Sequence, residues 1–343
     1  MTRHLIRSAA ILSVALACAE RGSAQAPTVT VGGVGYAQYY YNLKDTASHS
    51  NNFDITRAYV NVIGRFAYGI GTRVTADIYR NTTDGSLSYR LKYAFATWTP
   101  EKSALTFKFG QMHTPWLDWE EHLWDYRMQG QQALERAGYM SSSDFGAGVD
   151  GNWGFDKVNM QIGVFNGENY NRTPGDKGKD LMGRVSVRVL ATDEGGRDGG
   201  LRLTGYGQIG RPNGGGTRNR FIGMVSYRSK MLTLAAQLAA TKDTALGPPL
   251  VATKKGRVIS TFGVVRIPPT YKFQIIGRFD STDPNTAANN DRTSRIIAGL
   301  AYQLSGNLRV LADIDHLSYQ GGVTTPANEA VRSQALFQVQ FTF

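Results

Sequence analysis

From one end of this chain to the other, side chains alternate residue by residue between large apolar and small or polar. In Leu87-Ser88-Tyr89-Arg90-Leu91-Lys92-Tyr93-Ala94-Phe95-Ala96 every odd position is large and apolar, and the even positions are small or basic. Tyr271-Lys272-Phe273-Gln274-Ile275-Ile276-Gly277-Arg278-Phe279 and the closing Val331–Phe343 segment follow the same rule. A period of two sorts residues onto the two faces of a pleated strand, whereas a helix would scatter them all around. Sixteen such segments begin near Thr28, Asn52, Ile70, Ser86, Ala104, Asp144, Phe155, Asp180, Leu201, Arg218, Met231, Arg257, Thr270, Arg292, Asn307 and Ala330.

The connections alternate in length. Ala67-Tyr68-Gly69, Pro100-Glu101-Lys102, Gly154, Ser229-Lys230, Pro268-Pro269 and Ser305-Gly306 are short, while 42–51, 113–143, 166–179, 242–256, 281–291 and 320–329 are long. Asp193–Gly200 is long where a short turn is due, and Asn81–Gly85 is short where a loop is due. Short turns at one end and long loops at the other, with roughly ten residues per tilted strand, is the pattern of an outer-membrane barrel. A soluble β-sandwich would need a second apolar core, and here the other face is polar along almost the whole chain. Aromatic residues crowd the ends of the apolar face (Tyr36, Tyr39, Tyr40, Tyr41, Trp98, Trp153, Tyr302, Phe341, Phe343), as interfacial girdles do.

Mean hydropathy is below zero. Past the first residues no uninterrupted apolar run approaches the ~18 residues that a spanning helix needs, which excludes a helical membrane protein but not a barrel. Met1–Ala24 reads as a secretory leader: Arg3 and Arg7, the apolar stretch Ala9–Ala17, then small residues ending Gly22-Ser23-Ala24. Its removal takes the lone cysteine, Cys18, and trims 38 bases against 27 acids to 35 against 26 over residues 25–343. A disulfide framework, a Cys-ligated metal and a thiol nucleophile are thereby excluded. Phe337, Val339, Phe341 and Phe343 alternate up to a terminal phenylalanine, the form of signal that barrel assembly machinery reads, so Phe343 is assigned that role.

Strand parity also sorts the charges. Where it is clear, Arg57, Arg73, Arg90, Lys92, Lys108, Lys157, Arg184, Arg188, Arg202, Arg218, Arg220, Arg228, Lys272, Arg278, Arg309 and Arg332 face inward, against Asp77, Asp280, Asp313 and Asp315. That charge lies inside follows from defining the outside as apolar; its sign does not, and sixteen to four is far from the 35 to 26 of the mature chain. A barrel of this strand number encloses water, and rings of Arg and Lys line anion and phosphate pores. Nucleic-acid binding would need the basic face outside. Transverse pairing with acids from an infolded loop is the alternative, which would size the opening without selecting a solute.

The longest connection, 113–143, is the third long loop. It carries Trp116, Trp119, Trp124 and Tyr126, the acids Asp118, Glu120, Glu121, Asp125 and Glu135, and the bases Arg127 and Arg136; Gln131–Arg136 is good helix material. Asp118, Glu120, Glu121, Asp125, Arg127 and Arg136 are the candidates for narrowing a pore. The tryptophans are either a sugar-stacking track or loop packing. Around this loop Phe109-Gly110-Gln111-Met112-His113-Thr114-Pro115, Trp119-Glu120, Leu134-Glu135-Arg136 and Ser143-Asp144-Phe145-Gly146 resemble the phosphate-selective porin O/P family, as does Phe53-Asp54-Ile55-Thr56-Arg57-Ala58-Tyr59 upstream. The resemblance covers roughly 53–153 at the level of motifs. It implies a trimeric, sixteen-stranded anion channel constricted by its third loop. This loop departs from a basic channel in being acidic.

Catalysis finds little support. His49, His113, His122 and His316 make no triad pattern with a serine, and Glu121, His122 and Asp125 lack established metal-ligand spacing. Gly214-Gly215-Gly216 opens no helix. The expectation is an all-β protein, a single 16-stranded antiparallel transmembrane β-barrel with a long third extracellular loop, spanning 25–343 in the outer membrane of a Gram-negative-type bacterium. It would pass small anions such as phosphate, without cofactor, metal or catalytic residue, with lipid, the assembly machinery and two further copies as partners. The alternatives are a weakly selective or sugar-type porin, or a non-conducting envelope barrel acting as enzyme or anchor.

Overall fold

The computed structural model describes residues 26–343 except 173–174, 176, 213–215, 246–251 and 323–324. The leader expected over 1–24 lies outside the described residues. Sixteen strands follow in chain order: β1 (Thr28–Asn42), β2 (Asn51–Arg65), β3 (Ile70–Arg80), β4 (Leu87–Trp98), β5 (Leu105–His113), β6 (Ser143–Trp153), β7 (Val158–Phe165) and β8 (Asp180–Leu190) form the first half. β9 (Gly200–Gly210), β10 (Gly216–Arg228), β11 (Leu232–Ala245), β12 (Ala252–Arg266), β13 (Phe273–Asp283), β14 (Thr293–Ser305), β15 (Leu308–Tyr319) and β16 (Ser333–Thr342) form the second. Each pairs with its sequence neighbours, and β16 returns antiparallel to β1, so the sheet closes. The β2–β3 ladder runs over Val60–Arg65 and the β4–β5 ladder over Ala94–Trp98, shorter than the strands themselves.

The period of two survives as two faces. Along β9 and β10 burial alternates almost without a break, with Arg202, Thr204, Tyr206, Gln208 and Arg220 inside and Leu203, Ile209, Phe221 and Val225 outside. Such an apolar exterior is tolerable only in hydrocarbon, where ladder closure also satisfies the backbone. The exceptions have local reasons. β12 begins five residues before Arg257, because Lys254 and Lys255 stay in the ladder opposite Asp243 and Lys242 although no apolar pattern marks them. Tyr36, expected in the outer girdle, is buried on the inner face beside Arg57. Trp98, Trp153 and Tyr302 are exposed outside.

Closure uses small residues. Gly33 and Phe343 exchange both backbone hydrogen bonds, at 2.9 and 3.2 Å, and Gly35 faces Phe341 across the seam. The rings of Phe343 and Phe341 lie over these two glycines, where a Cβ would overlap them. The terminal aromatics are thus seated on the first strand.

Candidate functional site

The connection after β5 lies inside the barrel. It folds as α1 (Leu117–Trp124), a 3₁₀ turn at Arg127–Gln129 and α2 (Ala133–Arg136). Asp118 and Glu120 sit in the first turn of α1, where the helix dipole favours negative charge. Trp116, Leu117, Trp119, Leu123, Tyr126 and Leu134 are wholly inaccessible to solvent although they belong to a connection. Burying each such side chain contributes about 1.5–3 kcal/mol, which is what draws the segment inward. Trp116 packs 5.7 Å from Tyr206 of β9, and Trp124 packs 5.4 Å from Phe262 of β12. Tyr126 donates to Gln274 of β13, Gln129 donates to Asp315 of β15 at 3.2 Å, and Gln338 of β16 donates to the Met128 carbonyl at 2.8 Å. The loop therefore leans on the second half of the wall. Its tryptophans are packing, and the sugar-stacking expectation fails because no ring face is open.

The loop acids meet wall arginines rather than open lumen. Arg278 donates to Glu120 at 2.8 Å and to Asp280 at 2.9 Å, and Asp280 also receives Arg136 at 3.2 Å. Arg309 reaches Asp125 at 3.2 Å, and Arg127 joins Glu121 and Glu135 within the loop at 2.8 and 2.9 Å. The connection between β8 and β9, anomalously long in the sequence, folds up against α1: Arg197 donates to Asp118 at 2.7 Å and Arg228 of β10 donates to Asp198 at 2.6 Å and to the His122 carbonyl at 2.7 Å. Burial works against the Asp118 carboxylate, but Arg197 with His113 and His122 outweighs it and holds the carboxyl well below its usual range. Glu121 and Asp125 are thus turned to different arginines, not toward a common centre with His122. Among the described residues no group of three or more His, Cys, Asp or Glu is placed to hold a metal ion.

Other inward bases are paired too. Arg218 forks onto Asp180 at 2.9 Å, Arg220 meets Asp243 at 2.8 Å, and Lys108 pairs with Asp150. Asp144, Asp150, Asp180 and Asp283 are inner-face acids that parity over the clear strands missed, because they stand at or near strand ends where the apolar pattern fades. Arg184 donates to the Pro115 carbonyl at 3.0 Å, Arg202 to the Gly199 carbonyl at 2.9 Å and Arg188 to the Phe155 carbonyl at 2.9 Å. Three expected wall positions are corrected. Lys157 and Lys272 stand in the connections before β7 and β13, exposed, and Arg332 precedes β16; in each case the strand begins three residues after the start expected from the alternation.

The first strands are different. The Arg57 guanidinium lies 4.4 Å from the Tyr59 ring centroid and 5.7 Å from that of Tyr36. Arg90 lies 4.8 Å from Tyr170 and 5.4 Å from Tyr79. Lys92 contacts Ser142 and stands 4.2 Å from the Tyr170 ring. Arg73 stacks 4.9 Å over Tyr93 and donates to Asn61 at 3.0 Å. Among the described residues none of these four bases forms a salt bridge. Arg57, Arg90 and Lys92 open onto a cleft of about 350 Å³ between this wall and the loop segment Arg127–Gln131. Tyr170, whose role no pattern in the sequence signalled, reaches in from the loop after β7.

A family model described as phosphate-selective porin O and P matches residues 31–227. No curated protein sequence matches the chain. Among solved structures it is similar to the anion-selective porin from Comamonas acidovorans, at 13% identity and a TM-score of 0.67, covering 92% of this chain and all of that one. OmpT of Vibrio cholerae in its trimer form gives 13% and 0.63, covering 93% and 99%. The outer membrane channel DcaP of Acinetobacter baumannii gives 11% and 0.61, covering 92% of this chain and 97% of that one. At these identities the likeness is one of fold.

Proposed function

This chain belongs to the phosphate-selective porin O and P family and is an anion porin of the outer membrane, and from that premise we propose that solutes cross along the cleft beside β1–β4. The observation that supports the route is the set of bases there, Arg57, Arg90 and Lys92, that line the cleft beside Asp77 without forming a salt bridge among the described residues. Low-dielectric walls focus the field of such charges and raise the local concentration of counter-ions. Two unit charges 4 Å apart interact by about 1 kcal/mol in bulk water and about 4 kcal/mol at an effective dielectric of 20, so a narrow stretch discriminates where a wide one does not. The loop 114–142 acts as the constriction by filling the opposite side. Passage is passive, and the protein transports rather than catalyses. It assembles as a homotrimer in lipid, delivered by the assembly machinery through the Phe343 terminus.

Reversal potentials of the purified protein in planar bilayers under a salt gradient test this. The expected sign is that of anion preference. Changing Arg57→Gln, Arg90→Gln and Lys92→Gln together lowers the anion-to-cation permeability ratio about tenfold. Cation preference in the unaltered channel, or no conductance, would overturn the reading.

A further inference from the structure

Outside the lumen, one patch of the wall carries charge that the chain itself does not answer. Lys242 of β11 and Lys255 of β12 are directly opposite each other in the ladder, and both are exposed on the outer face, since their neighbours Thr241 and Gly256 are buried. Side chains so placed stand about 5 Å apart at Cβ, where like charges repel. Neither ammonium has a hydrogen bond or salt bridge among the described residues. Asp243, next to Lys242, faces inward with Lys254 opposite it and Arg220 at 2.8 Å. Arg257, two residues along from Lys255, stands opposite Asp283, an acid 7% exposed that has Arg292 3.8 Å away. Four bases thus share one acid. Other arginines at this end of the barrel have a carboxylate to themselves, Arg80 with Asp54 and Arg332 with Glu329. These strand ends lead into long connections, the external side of an outer-membrane barrel.

Toward the membrane centre the same face is hollowed. Leu238 and Ile259, four residues along from Lys242 and Lys255, pair with each other; Leu238 also pairs with Gly223, and Gly223 with Gly205. A Cβ added at Gly205 or Gly223 would meet no atom within 4 Å, so packing within the chain does not require glycine at either position. Glycine inside a strand weakens it and often marks the close approach of a ligand. The two glycines floor a groove of about 710 Å³ walled by outward valine, leucine, isoleucine and alanine side chains, with Thr261 as its one outward hydroxyl; Thr204, Met224 and Gln237 border it from the buried face. The paired lysines stand about 13 Å from this row along the strands. Charge above and an apolar groove below match the two ends of a lipid. A second copy of the chain fits the patch poorly, because the cores of subunit interfaces are depleted in lysine.

We propose that this face binds a lipid of the outer leaflet that carries phosphate on its headgroup. Lys242 and Lys255 hold the phosphate between them, and an acyl chain lies in the groove over Gly205 and Gly223. A phosphate seated there turns the repulsion of the two ammonium groups into attraction to a common anion. Nothing in the proposal depends on which solute crosses the pore.

The test titrates the full mature protein in uncharged detergent with diphosphoryl lipid A, and with phosphatidylcholine for comparison, and counts bound lipid by native mass spectrometry. Lipid A is expected to bind about tenfold or more tightly than phosphatidylcholine. Lys242→Gln with Lys255→Gln weakens lipid A binding about twentyfold, since each base near an anionic lipid surface is worth about fivefold in affinity. Lys157→Gln with Lys230→Gln removes the same charge from exposed positions at the turn end. It leaves lipid A binding within about twofold, because those sites lie beyond the screening length of about 8–10 Å. Gly205→Val with Gly223→Val fills the groove and weakens binding about fourfold, the worth of one buried methylene. Unchanged chloride conductance in planar bilayers shows that each variant is folded. Phosphatidylcholine binding as tightly as lipid A, equal losses from the two lysine pairs, or no loss from the glycine pair would each overturn the proposal. A changed subunit number with lipid binding unaltered would overturn it in favour of a second copy on this face.

Discussion

Arg278 and Arg57 are the same residue type on the same face of the same sheet, yet they sit in opposite chemical surroundings. Arg278, on β13, is enclosed by Glu120, Asp280, Gln132 and Ser260, its side chain 1% exposed. Arg57, on β2, has tyrosine rings for neighbours and an open edge toward the cleft. The difference is made by the loop after β5. Where it rests on β9–β16 it brings carboxylates to the wall and turns arginines into fastenings; where it stands clear, the bases keep their charge for whatever passes. Sign alone does not identify a selective surface. Partnering does.

The largest expected effect comes from breaking a fastening. Arg278→Met leaves Glu120, wholly buried, facing no cation. Removing one partner of a buried pair costs about 3–5 kcal/mol, since the other charge is left desolvated. Chemical denaturation of the folded protein in detergent should show a loss of that size, and Arg278→Met combined with Glu120→Met should recover much of it. If the single change leaves the denaturation midpoint unmoved, the loop is not fastened there.

The next effect separates the two walls by selectivity. Arg220→Gln, Arg228→Gln and Arg309→Gln together remove as many bases as the triple change on β2 and β4. Their guanidinium groups pair with Asp243, Asp198 and Asp125 and lie away from the cleft. With a screening length of about 8–10 Å in salt, their loss should shift the anion-to-cation permeability ratio by no more than about twofold. Equal shifts from the two triples, read as reversal potentials, would mean that the path runs along both walls.

Much of this architecture was legible in residue order. Strand number, the alternation of turns and loops, and the inward placement of Arg57, Arg90, Lys92, Arg184 and Arg278 all follow from a period of two, a local property. What stayed hidden is partnering between distant segments. Glu120 and Arg278 lie 158 residues apart, and Asp125 and Arg309 lie 184 apart. No local pattern sets which acid meets which base, so an acidic loop looked like an opponent of the basic wall when it is its complement. The anomalous length of Asp193–Gly200 was the one local trace of a further contact, because a plain hairpin would not need those residues. Nothing of that kind marked Tyr170, a single aromatic in a loop of otherwise polar residues.

That anomalous turn supplies the smallest and most discriminating effect. Arg197 and Asp118 join it to α1 at 2.7 Å, with side chains 31% and 24% exposed, a partly screened pair contributing about 1 kcal/mol. Arg197 and the nearby histidines depress the Asp118 carboxyl against the opposing effect of burial. A carboxylate depressed in the folded state adds stability that is complete above its unfolded value, ~3.9, and is lost as pH falls through the folded value. The unaltered protein should therefore keep this contribution unchanged from pH 7 to about 4.5. In Arg197→Ala burial acts on Asp118 with less to oppose it, so the deficit relative to the unaltered protein should be greatest near neutrality and shrink as acid protonates the carboxyl. Denaturation midpoints of both proteins at several pH values between 7 and about 3 would show the gap closing. A gap that stays constant across that range would mean that Arg197 contributes through its stem packing under α1, and that the turn is joined to the loop by contact and not by charge.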